Sequence, residues 1–169
     1  MWVKSEYAGP LAVVSTWVCT LLPWSVTLFR EELEPGVDVF AVWIRFLPGR
    51  LLYLFGVGFG DESPYRWVWE VPGFVATRGE TVAAYVWLVG TAVFAVAFLV
   101  SLLYYLRESW VESWPVDPVR LLGGLLVLTG VVLAAAVAVL WRFQGEMVVP
   151  VGVFFQLGLG TVLLQVDRT

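Results

Sequence analysis

The chain contains no histidine, a single cysteine (Cys19), one lysine against nine arginines, and few charges of any kind. Asp, Glu, Lys and Arg make up 14% of its 169 residues, against about 25% in an average soluble domain. Each scarcity removes a class of function. Zinc sites draw on clustered Cys and His, and a haem needs an axial His, Cys, Met or Tyr. With Met1 and Met147 as the only methionines, no metal or other cofactor is expected. A lone cysteine allows no disulfide within the chain. The basic face that neutralises nucleic-acid phosphates is missing, and the formal net charge is −4, so no nucleic-acid partner is expected.

What the sequence has instead is apolar length. Hydrophobic residues make up 60% of the chain and the mean hydropathy is +0.83. Four runs, Tyr7–Phe29, Thr81–Leu106, Leu121–Trp141 and Met147–Val166, contain no Asp, Glu, Lys or Arg. A helix needs about 20 apolar residues to cross a bilayer, and backbone groups in lipid must bond internally, which leaves helices or closed barrels. The run from Val131 to Leu140 is apolar on every side, which excludes the alternation of a barrel strand. The expectation is an all-α polytopic membrane protein of one domain, residues 1–169, with four transmembrane helices at about 7–29, 81–106, 121–141 and 147–166. Tyr104, Tyr105, Trp110, Trp114 and Trp141 fall near the helix ends, where an aromatic belt belongs, while Trp17, Trp24 and Trp87 fall inside and are expected to pack. Arg and Lys near the run ends favour both termini in the cytoplasm.

Residues 30–80 form the one long connection, with five Arg and eight acidic residues. A fifth crossing would bury Arg45 and Arg50, and a charge at the bilayer centre costs about 2.5–3.5 kcal/mol even on the lenient scale. Phe40 to Phe55, including Trp43, is therefore expected as one or two short interfacial helices with Arg45 and Arg50 kept wet. A re-entrant element or an amphipathic cap over the bundle are the alternatives. Gly56–Gly60 lacks the Gly-Lys-Ser/Thr ending of a phosphate loop and reads as a flexible exit. Trp114–Pro118 reads as a rigid turn, with Asp117 capping the helix that follows.

Small residues suggest how the helices meet. Gly123, Gly130, Ala134 and Ala138 in the third run, and Gly152 and Gly158 in the fourth, offer close backbone approach, and the short link between the runs makes an antiparallel pair. Gln156 is the deepest polar side chain and is expected to hydrogen-bond across the bundle, to Thr129 or Ser15. No ionisable group lies within a run, which argues against a proton relay, and no nucleophile–base pair is visible, so an enzyme is not favoured. The expected function is an integral membrane accessory or assembly protein at the cell membrane, with the lipid bilayer and a membrane protein partner or self-association. A small transporter or channel component whose oligomeric pathway includes Gln156 is the alternative.

The segments Leu21–Val26, Leu122–Gly130 and Val149–Gly152, with the preference for Arg over Lys, resemble a family of small haloarchaeal multi-pass membrane proteins named for proximity to an HtrA-type protease gene. The resemblance implies a four-helix membrane fold. It implies no activity, cofactor or catalytic residue.

Overall fold

The computed structural model describes residues 7–34, 37–56, 63–73, 78–144 and 147–166. In order along the chain it has α1 (Ala8–Leu21), β1 (Ser25–Glu34), β2 (Val37–Arg45), β3 (Gly49–Leu54), β4 (Tyr65–Trp67), a 3₁₀ turn (Val71–Gly73), α2 (Arg78–Leu106), α3 (Glu108–Glu112), α4 (Pro118–Gln144), β5 (Met147–Val149) and α5 (Val151–Leu164). The strands form one antiparallel sheet in the order β4-β3-β2-β1-β5. The fold is therefore mixed α/β, which corrects the all-α expectation.

Three of the sequence expectations fail for local reasons. The first run breaks at Pro23: Leu22, the residue before it, is extended at φ −79, ψ 135, as steric contact with a following proline favours. Its last five residues, Ser25 to Phe29, belong to β1. The fourth run divides at Pro150 into β5 and a 14-residue helix. Helices of 14 residues, as α1 and α5 both are, reach only about 21 Å at 1.5 Å per residue. The segment from Phe40 to Phe55 forms β2, a tight hairpin and β3 rather than interfacial or re-entrant helices. It is rich in β-branched and aromatic residues that suit a pleated surface. Gly56, at φ +82, ends β3 in the left-handed region open to glycine; residues 57–60 of the expected glycine-rich exit lie outside the described residues.

Among the described residues two helices, Gly79–Leu106 and Pro118–Arg142, are long and apolar enough to cross a membrane by length and composition, where four were expected. The four-span multi-pass architecture and the cell-membrane location inferred from it are corrected accordingly: two of the four runs are shared between a sheet and short helices. The outward side of α2 still carries apolar residues, among them Val82, Tyr85, Val89, Val96 and Leu99.

One continuous core runs from Ala8 to Val166 and includes Trp24, Trp87, Leu122, Leu126, Leu133 and Leu163. The α4–α5 pair brings two backbones close together. A Cβ placed on Gly160 would come within 2.9 Å of Gly123 O and of Val127 N, and one on Gly123 within 2.9 Å of Gly160 O. Gly130 lies against Leu157, whereas Gly158 meets nothing within 4 Å; Ala134 is half-buried and Ala138 exposed. Asp117 accepts a 2.8 Å hydrogen bond from Val119 N–H at the start of α4. Cys19 is buried, and burial pushes its thiol up to about 12.

Two outcomes follow. Gly160→Ala is expected to cost about 1–3 kcal/mol, because backbone atoms must move to admit the methyl. Gly158→Ala, on the open side of the same helix, should gain up to about 1 kcal/mol from helix propensity; denaturant titration of both variants checks the contrast. Cys19 should resist a water-borne thiol reagent at mildly alkaline pH in the native chain and react on unfolding, since the reactive thiolate is both buried and suppressed. Rapid labelling of the native protein would contradict the packing of α1.

Candidate functional site

The sheet is organised against the usual distribution of polarity. The register pairs Ser25 with Arg45, Arg45 with Arg50, and Arg50 with Arg66. Four strands thus contribute one cross-strand row, Ser25–Arg45–Arg50–Arg66, on a single face. Because side chains alternate at each residue, that face also holds Thr27 and Phe29 of β1, Ala41 and Trp43 of β2, and Val148 of β5. The opposite face presents Leu28, Phe40, Tyr53, Trp67 and Met147, all exposed. Arg45 and Arg50 lie inside, while Arg30 sits over Phe40 on the exposed face, 4.5 Å from the ring centre.

Burial is deep at Ser25, Arg45 and Arg50, while Arg66 is half-buried. Arg45 is 5% and Arg50 7% exposed, while Ser25 and Thr27 are fully covered. Like charges directly opposite across strands repel, and each desolvated ion carries a penalty of several kcal/mol. The structure offsets part of this. Arg45 Nη1 donates to Thr27 Oγ1, and the Arg50 guanidinium carbon lies 4.1 Å from the centre of the Trp43 ring, a cation–π contact. Trp43 itself stacks on Phe29, 5.9 Å between centroids. Burial nevertheless lowers the Arg50 pKa from its ordinary value; Glu80 acts in the opposite direction and Arg66 adds to the lowering.

Beside the row is a small cavity lined by Trp24, Arg45, Arg50, Val71, Glu80, Ala83, Ala84, Trp87 and Leu140. It leaves about 20 Å³ for the centre of a water-sized sphere, a little more than the roughly 10–15 Å³ that a single water requires. Several parts of the fold hold its walls. Trp24 N–H donates to Arg45 O at 2.8 Å, and Gly152 N–H to Pro23 O at 2.9 Å. A Cβ on Gly152 would lie 2.7 Å from Pro23 O and 2.8 Å from Trp24 Cα, so glycine there lets α5 press the Pro23–Trp24 bend inward. Thr91 Oγ1 donates to Leu47 O at 2.8 Å, tying the β2–β3 hairpin to α2. Trp141 Nε1 donates to Val148 O at 2.9 Å, tying α4 to β5. The rings of Trp24 and Trp87 are 5.5 Å apart.

The hydrogen-bond account of this cavity does not close. Trp24 Nε1, Trp87 Nε1 and Arg50 Nε are buried donors without a partner, and Ser25 Oγ is unpartnered next to them in the row. Trp24 and Trp87 are 1% and 2% exposed. A buried unsatisfied donor costs about 1–3 kcal/mol, and three such donors belong to residues that line this one cavity. Glu80 is the one acid among the lining residues, facing two arginines.

Sequence reasoning named Arg45, Arg50 and Trp43 but expected them at a wet interface, with Phe40 and Phe55. The structure brings Trp43, Arg45 and Arg50 together on the buried face and leaves Phe40 and Phe55 exposed on the other side. It missed Ser25, Thr27, Arg66 and Glu80. Alternation through Ser25-Val26-Thr27-Leu28-Phe29 was the available signal. Gln156 is buried, but its side-chain oxygen accepts no hydrogen bond, and Thr129 Oγ1 donates to Leu125 O within its own helix. Among the described residues no group of three or more His, Cys, Asp or Glu could hold a metal ion.

The expected function is corrected along with the fold. The integral membrane accessory or assembly role, the transporter alternative, and the bilayer, membrane-protein and self-association partners all rested on a four-span bundle. A sheet with a buried polar row and its own hydrogen-bond network takes that bundle's place. The resemblance to the protease-neighbour family is corrected as well, because its short Leu, Val and Gly motifs describe apolar helices of many kinds. No curated protein matches the chain. A family of unknown function (DUF7549) matches it over residues 1–168, and the chain belongs to that family.

Proposed function

We propose that this protein is an anion-binding domain whose ligand occupies the cavity between the arginine row, the first turns of α2 and Leu140 of α4. The observation that carries the reading is the set of three orphan N–H donors on Trp24, Trp87 and Arg50, residues that line one small cavity. An acceptor bound there would receive charge-assisted hydrogen bonds, which are shorter and roughly twice as strong as neutral ones. It would also relieve the repulsion between Arg45 and Arg50. Binding rather than turnover is favoured, since the lining residues include no nucleophile with a base beside it.

The reading treats residues 1–169 as one domain, supported by the core that continues from α1 to the end of α5. Gly123, Gly130 and Gly152 act in it as close-packing positions, with Ala134 at the seam's edge. Gly158 and Ala138 contribute nothing to the cavity. Gln156 belongs to the helical core and stands apart from the ligand.

The test is thermal stability of the purified full chain in a series of sodium salts at constant ionic strength. A ligand that binds only the native state stabilises by about 2.7 kcal/mol at one hundred times its Kd. The melting temperature is expected to rise with one anion class and saturate. Arg50→Met, which keeps the stem and removes the charge, should melt cooperatively with no anion dependence. Equal melting curves in every salt for the native sequence would overturn the reading.

A further inference from the structure

We infer that the anion is a single weakly hydrated halide of the chloride or bromide type. This rests on the anion-binding reading above and assigns its ligand class. Three observations select it.

The first is size. The room beside the row is close to that of one water, which suits a single atom better than the several heavy atoms of a phosphate, a sulfate or a substrate carboxylate. The second is the form of the donors. Oxyanions are favoured by the paired N–H edge of a guanidinium or by successive backbone N–H groups. Here the free donors are isolated, one each on Trp24, Trp87 and Arg50, and they come from three separate elements. Single donors on separate residues match a spherical acceptor that has no preferred lone-pair direction.

The third is charge and polarity. The wall contains two arginines and one acid, Glu80, so one positive charge remains for a monovalent guest. The rest of the wall is Val71, Ala83, Ala84 and Leu140 together with the two indole rings. Stripping water from an ion is the main cost of entering such a site, and a large, diffuse monovalent ion loses the least. The ion would link α2 through Trp87, the Pro23–Trp24 bend, and β3 through Arg50. Its occupancy would therefore stiffen the junction of sheet and helices, so that salt acts on stability through one site rather than through general screening.

The experiment is an indole N–H NMR titration of the full-length protein with sodium chloride, bromide, formate, phosphate and sulfate at constant ionic strength. Trp24→Phe and Trp87→Phe assign the two cavity signals among the ten tryptophans. Chloride and bromide are expected to move those two signals, saturably and together, while leaving the other indoles in place. Each Phe variant, which keeps an aromatic ring and removes the N–H, should weaken halide binding about tenfold or more, as loss of a hydrogen bond to a charge implies. Formate, phosphate or sulfate moving the same signals more effectively than halide would overturn the halide assignment and leave the anion-binding reading standing. No response to any of the five salts would overturn both.

Discussion

Everything distinctive about this fold turns on arginines placed in one row on the buried face of an antiparallel sheet. Arg45, Arg50 and Arg66 are brought together by strand register alone, with Ser25 extending the row into β1. Removing a guanidinium from water costs several kcal/mol, and setting two of them across from each other adds repulsion. The fold answers with the Thr27 hydroxyl, the face of Trp43 and the carboxylate of Glu80 in the cavity wall. Those groups leave three neighbouring N–H donors unmatched. A buried like-charged row with spare donors is physically incomplete, and a bound negative charge is the simplest completion.

The rest of the architecture serves to hold that row closed. Pro23 stops α1, and the bend it makes with Trp24 leads into β1 and sets Trp24 in the cavity wall. Pro150 and Gly152 start α5 against the same bend, with Gly152 N–H bonded to Pro23 O. The β2–β3 hairpin, Phe46 to Pro48, is fastened to α2 by Thr91 and to β4 by Val68 N–H donating to Pro48 O at 2.9 Å. Below this junction, α2, α4 and α5 pack as a helical layer in which the backbones of α4 and α5 meet at Gly123 and Gly160. Junction and layer share the core that includes Trp24 and Trp87, so loosening either should loosen both.

How much of this the sequence displayed depends on length. The helices Arg78–Leu106 and Pro118–Gln144 coincide with uncharged stretches too long for any ordinary strand, and the Asp117-Pro118 start is legible from capping chemistry alone. The sheet was hidden for a specific reason. Outside a membrane, a half-buried strand turns its apolar side inward, so polar residues mark the wet face. Here Val26, Leu28, Val42, Ile44 and Tyr53 alternate with Ser25, Thr27, Trp43, Arg45 and Arg50, and the polar members are the buried ones. Read by hydropathy alone, Tyr7–Phe29 is one apolar run, and only the period of two from Ser25 onward, just past Pro23, separates strand from helix. The arginine row was beyond sequence reasoning altogether, because register depends on where hairpins close, and Arg66 reaches Arg50 across a connection that no local motif specifies.

The most direct measurement of the central claim is anomalous diffraction from crystals of the full chain grown in sodium bromide. The account requires one strong bromide peak in the cavity, within hydrogen-bonding distance of Arg50 Nε and the indole nitrogens of Trp24 and Trp87. A cavity filled by water alone at high bromide, with the three donors turned to protein acceptors, would contradict it.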